Sequence, residues 1–292
     1  MAATICANAL IDAIASLYSY DDPACHPANS SVTGVGVQLK FVGDALDYLP
    51  PNYRRHLSQE THSRGMLYCH AASNTLILAF TGSSSVTPPL GDLSRIGDWI
   101  DDWLNTNIAM HIGDRPRQYE FAEDAADEIE KRLSYGGFDG ICGSDRPKFV
   151  LTGHSKGGGQ AQFAAVRISL EAVVFNSDPV NPVIFADWML TNETTWLERG
   201  ARTFTMCFGL SSDHDLQRYI AYLENRKIRD VRTVNDPVSK FLLHFCNPPH
   251  APIEWLVNTL SCSTDGNAIE AVIRGHLIET VVRELQACAD QP

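Results

Sequence analysis

A chain of 292 residues, 44% hydrophobic and 20% charged, has the make-up of one large soluble globular domain, or of one domain with insertions. At that length it buries a sizeable core without staples. The formal net charge of -12 argues against a nucleic-acid partner, which needs a basic surface, and against tight electrostatic docking on anionic membranes.

The first stretch, MAATICANALIDAIASLYSY, reads as an amphipathic helix with Ile5, Leu10, Ile14 and Leu17 on one side. It has no basic n-region and carries Asp12 within its apolar part, so it does not read as a signal peptide. The expected location is the cytoplasm, or outside the cell after export by a non-classical route. No apolar run reaches the length of a transmembrane helix. A polar stretch near Asp21–Ser31 leads into a short apolar one, Val35–Val42. GMLYCHAASNTLILAF reads as a hairpin, with strands Gly65–His70 and Thr75–Phe80 around a turn at Ala72–Asn74. A long loop follows, in which Pro88 and Pro89 rule out regular structure.

RQYEFAEDAADEIEKRL predicts a helix with Ala122, Ala125, Ala126, Ile129 and Leu133 on its buried face and acids on the other. KFVLTG is a short buried strand, and Gly157–Ser169 a helix with little polar surface. AVVFNS, TFTMCFG and IRDVRTV are further short strands, and DHDLQRYIAYLENRK a helix. The last segment is helical on both sides of Gly275 and His276. Strands alternating with helices predict an α/β fold, with a mostly parallel central sheet covered by helices on both faces.

The eight cysteines, Cys6, Cys25, Cys69, Cys142, Cys207, Cys246, Cys262 and Cys288, form no CxxC pair, which argues against a zinc site. They read as buried free thiols. A Cys246–Cys262 bridge is the alternative. No metal or cofactor is implied.

One short stretch carries chemistry. Gly153-His154-Ser155-Lys156-Gly157 lies between a predicted strand and a predicted helix, the setting a nucleophile elbow requires. So sharp a turn holds Ser155 in a strained conformation with its hydroxyl exposed. Gly153 and Gly157 leave room where side chains would collide. The helix N-terminus below favours developing negative charge.

TGHSKGGGQAQ resembles the elbow of class 3 lipases, the fungal-lipase type of α/β-hydrolase. LAFTGSSS (Leu78–Ser85) is similar to that family's strand and oxyanion loop, IGDWIDDW (Ile96–Trp103) to the Asp-Trp segment after it, and VNDPVSKF (Val234–Phe241) to its acid motif. The matches run in the family's order from about Thr75 to His276. The resemblance implies an α/β-hydrolase fold over residues 1–292. It makes Ser155 the nucleophile, Asp236 the orienting acid, and the backbone N–H groups of Ser83 and Lys156 the oxyanion hole. Three histidines follow Asp236: His244, His250 and His276. The family places its histidine at the start of a C-terminal helix, which points to His276. Asp178, in FNSDPVNP, is the rival acid, or else begins an Asx-turn before Pro179. His154 is a usual occupant of this elbow and a packing residue, not the base.

Two departures from the family stand out. Lys156 replaces an apolar residue; its ammonium either faces solvent on the first helical turn or sits near the site mouth, where it favours anionic groups. Val86–Arg95 looks like an insertion that enlarges a lid spanning about 84–98. Trp99 and Trp103 are core or lid residues. The implied activity is hydrolysis of carboxylic esters of lipids, as a lipase or phospholipase A1, with transient contact at a lipid interface. The competing readings are an inactive hydrolase-fold binding protein and a thioesterase or peptidase on the same scaffold.

Overall fold

Among the described residues, eight strands form one sheet whose spatial order follows the chain, from β1 to β8. The structure, a computed structural model, describes residues 2–20, 31–34, 36–51, 64–82, 117–143, 146–178, 180, 227–233, 253–256 and 278–290. The strands are β1 (Ser31–Gly34), β2 (Val37–Asp44), β3 (Gly65–His70), β4 (Thr75–Phe80), β5 (Lys148–His154), β6 (Glu171–Phe175), β7 (Ile228–Thr233) and β8 (Ile253–Leu256). The first three pairings are antiparallel and the other four parallel.

Strand order and chain order agree, so parallel neighbours need crossovers, and right-handed crossovers along one direction all lie on one face. The described crossover helices obey this. α2 (Arg117–Ser134) joins β4 to β5 and α3 (Lys156–Ile168) joins β5 to β6. Both pack with Leu76, Leu78, Phe80, Phe149, Leu151 and Val174 in one core. Within it the rings of Tyr119 and Phe163 meet edge to face, 5.4 Å between centroids. The opposite face is left for the chain's ends. α1 (Ala2–Tyr18) and α4 (Ile278–Ala289) cover it, and Ile77, Ala79, Val150, Val173 and Phe175 point into this second core. Alternate residues of β4, β5 and β6 thus feed opposite cores, which is why these strands read as continuous apolar runs.

Most predicted elements are present. The hairpin strands and α2 have the expected bounds, and all five named residues of the α2 face are buried. In α1, Leu10 and Ile14 are buried and Leu17 partly so. Asp12 is also buried, and burial pushes its carboxyl up to about 7 against the opposing pull of Arg229 and Lys148. The apolar stretch Val35–Val42 falls largely on β2, which runs from Val37 to Asp44. β1 and β8 were not anticipated. Each has four residues, too few for a period to register, and they sit at the two edges of the sheet.

The cysteines depart from expectation. Cys6 of α1 is bonded to Cys288 of α4 with 5.9 Å between Cα atoms, and Cys69 to Cys142 with 5.3 Å. Both separations suit a disulfide. Packing of the terminal helices brings together two thiols 282 residues apart, a pairing no local pattern reveals. Cys246 and Cys262 lie outside the described residues, as do Trp99, Trp103, the insertion at 84–98, the strand read at 203–209 and nearly all of the helix read at 213–227.

Candidate active site

β5 runs into α3 with a single residue between them. That residue is Ser155, at φ 57° and ψ -128°. A positive φ on a non-glycine residue is strained, at a cost on the order of 1–3 kcal/mol, and persists only where the surroundings enforce it. Here they do. The Ser155 amide donates to the Phe175 carbonyl (3.1 Å), and the Ser155 carbonyl accepts from the amides of Gly158 (2.9 Å), Gly159 (3.2 Å) and Asp178 (3.0 Å). The elbow's main chain is therefore fixed from α3 and from the end of β6.

The two glycines act as the sequence predicts. A Cβ on Gly153 would run into the Gly157 carbonyl and lie 2.7 Å from the Gly158 nitrogen. A Cβ on Gly157 would strike the Phe80 carbonyl and lie 2.9 Å from the Gly82 nitrogen. Every obstacle is backbone, so no side chain can rotate away. The same contacts bring the elbow against the end of β4.

Ser155 is only 6% exposed, so the hydroxyl is less open than the turn alone predicts. Lys156 is 7% exposed, which overturns the solvent-facing reading of its side chain. Its backbone belongs to the first turn of α3, where N–H groups have no intrahelical acceptor.

Asp178 is fully buried just beyond β6, and its amide is what binds the Ser155 carbonyl. The end of β7 is anchored beside it: the Asn176 side-chain oxygen accepts from the Thr233 amide at 2.8 Å. Beneath α3, Gln162 donates to Ser177 (2.7 Å), Ser177 to Asp230 (3.2 Å), and the buried Arg232 side chain to the same Asp230 oxygen through Nε (2.8 Å). This chain of polar groups ties β6, β7 and α3 together at the sheet edge that carries the elbow.

The sequence-predicted residues divide in two. Ser155 and Lys156 stand together at the elbow. Ser83, Asp236, His276 and the alternatives His244 and His250 lie outside the described residues. In the chain, the described residues nearest to Ser83, Asp236 and His276 are Gly82, Thr233 and Ile278. Sequence reasoning missed Tyr20. Its hydroxyl lies 2.9 Å from Nδ1 of His154, a contact across 134 residues with no local signature. His154 itself is buried, as a packing residue should be.

Among the described residues no group of His, Cys, Asp or Glu is placed to hold a metal ion, and no helix is long and apolar enough to cross a membrane.

A strained serine between a parallel-sheet strand and a helix, in a sheet covered on both faces, defines the α/β-hydrolase fold. A solved structure agrees: the chain is similar to MDLA of Penicillium cyclopium at TM-score 0.51, with 15% identity over 96% of this chain and 98% of that one. A more distant likeness is to the Lip2 lipase of Yarrowia lipolytica, at TM-score 0.41, with 14% identity over 85% of this chain and 77% of that one, too low to bear on the fold. No curated protein matches in sequence. Residues 37–188, just over half the chain, match the phospholipase-like family described as the Tle-like phospholipase domain. The chain belongs to that family, a lipase family of the α/β-hydrolase superfamily, and is a hydrolase of the lipase/phospholipase type.

Proposed function

We propose that the protein cleaves carboxylic esters of lipids through an acyl-enzyme on Ser155. The observation that carries this reading is the Ser155 backbone: φ 57° on a strand-to-helix turn, enforced by four hydrogen bonds to its own main chain. Strain of this kind has a use when it aims a nucleophile.

The mechanism runs through the residues the motifs assign. His276, oriented by Asp236, takes the proton of Ser155 as Oγ attacks the ester carbonyl. The N–H groups of Ser83 and Lys156 stabilise the oxyanion. The tetrahedral intermediate collapses, the C–O bond breaks, and the alcohol leaves with the proton from His276. Water, deprotonated by the same histidine, attacks the acyl-enzyme, and the fatty acid departs as Ser155 regains its proton. Burial of Asp178 beside the elbow supports a second reading of one role, with that carboxyl as the acid.

Fatty-acid release from phosphatidylcholine vesicles and from emulsified triglyceride tests the substrate class. Release from either, lost in Ser155→Ala, supports the proposal. Release unaffected by Ser155→Ala sinks it. Asp236→Asn and Asp178→Asn separate the two acids: the true one lowers kcat by several powers of ten, as expected for a triad member.

A further inference from the structure

β4 and β5 pair in register only as far as Phe80 and Gly153. Beyond that point no ladder bond fixes one strand end against the other, yet the next residues lead to Ser83 on one side and to Ser155 and Lys156 on the other. Something else must hold Gly82 against His154.

The end of α1 does so. Ser19 and Tyr20, the two residues after the helix, both reach across. The Ser19 carbonyl accepts from the Thr81 hydroxyl at 2.7 Å. The Tyr20 hydroxyl packs directly against Gly82, on the side where a Cβ would stand. The same hydroxyl lies 2.9 Å from His154 Nδ1 and 3.5 Å from the His154 carbonyl. One oxygen thus touches the residue before Ser83 and the residue before Ser155. Gly82 has no side chain because a Cβ there would collide with this hydroxyl and lie 2.8 Å from the His154 carbonyl. Burial, with smaller contributions from Asp178 and Glu279, pushes the phenol's pKa up, so the hydroxyl keeps its proton.

We propose that Tyr20 is a positioning residue for the oxyanion hole, its hydroxyl tying the segment that leads into Ser83 to the elbow where β4 and β5 part. This rests on the reading of Ser155 as nucleophile and of Ser83 and Lys156 as oxyanion donors. The two donors stand on different segments, and their spacing must match one oxygen atom. Hydrogen bonds to that oxygen count only at 2.7–3.1 Å, so a loosened Gly82 weakens the transition state and leaves substrate binding alone.

The test compares Tyr20→Phe with Ser16→Ala. Ser16 sits on α1, the helix that leads to Tyr20, and its hydroxyl is hydrogen bonded to Thr152 of β5, 3.0 Å away, so its loss removes a comparable buried bond that does not touch Gly82 or His154. Hydrolysis of p-nitrophenyl butyrate, fluorophosphonate labelling and urea unfolding are followed for both. Tyr20→Phe is expected to lower kcat about ten- to a hundredfold with KM unchanged, less than or equal to the loss of one oxyanion donor, and to slow labelling of Ser155 in proportion. Ser16→Ala is expected to lose similar stability and keep the wild-type kcat. A labelled wild type with equal kcat in the two variants overturns this inference alone. A folded wild type not labelled at Ser155 overturns the proposed function and this inference with it. If Tyr20→Phe does not fold, Thr81→Val decides instead: it cuts the neighbouring tie to Ser19, and an unchanged kcat there overturns the inference.

Discussion

The two faces of the sheet are built from different kinds of contact. On one, α2 and α3 are the crossovers between neighbouring strands, and the core is made by segments close in the chain. On the other, α1 and α4 come from the ends of the chain, and the face is closed by a Cys6–Cys288 bond and by polar reaches from α1 to β5, Ser16 to Thr152 and Tyr20 to His154. The crossover face shapes the elbow; the terminal face fixes what stands next to it. A local pattern can therefore announce a nucleophile while saying nothing about the parts that hold its partners in place.

Breaking the crossover side at the elbow should do the most. Gly157→Ala puts a Cβ into the Phe80 backbone, where only strand or helix movement can relieve it. The expected loss in kcat on a short-chain ester is at least about a hundredfold, the scale of a misplaced oxyanion donor. Near-normal turnover would show that the elbow tolerates a spacing the structure does not. Deep in the same face, Phe163→Ala removes the ring packed on Tyr119 and should cost about 3–5 kcal/mol by urea unfolding.

On the terminal face the effects are smaller and differ in kind. Cys6→Ser removes the bond between the ends and should cost about 2–4 kcal/mol, with the midpoint of wild type shifting the same way on reduction. An unchanged midpoint would mean that α1 and α4 pack without it. The change that touches no covalent bond is a pH slope from Asp12. Its folded carboxyl keeps a proton to about pH 7, whereas the unfolded one loses it near 3.8. The folded state therefore binds more protons between those values, and the contribution of Asp12 to stability falls as pH rises through that window and is level above it. Asp12→Asn should remove a slope of no more than about 1.4 kcal/mol per pH unit, and gain on wild type at pH 8 but not at pH 4. Parallel curves for the two proteins would contradict the burial of that carboxyl.

Legibility in the sequence follows the same division. The β3–β4 hairpin, α2 and the strand-turn-helix at Ser155 were readable because period, turn residues and spacing are local. The sequence leaves the direction of Lys156 open, since a solvent-facing first turn is ordinary and only the tertiary surroundings bury it. β1 and β8 left no signal because four residues are too few to show a period; both disulfides and the Tyr20–His154 contact left none because each joins segments far apart in the chain. Asp178 was weighed as a carboxylate, while its amide, bound to the Ser155 carbonyl, is the part that meets the elbow.

The most direct test of the central claim is to trap the serine. The intact protein is treated with a fluorophosphonate in detergent, and the modified peptide is mapped in wild type and in Ser155→Ala. The account predicts one adduct on Ser155, absent from the variant. A folded wild type that stays unmodified, or an adduct on another serine that persists in Ser155→Ala, would contradict it.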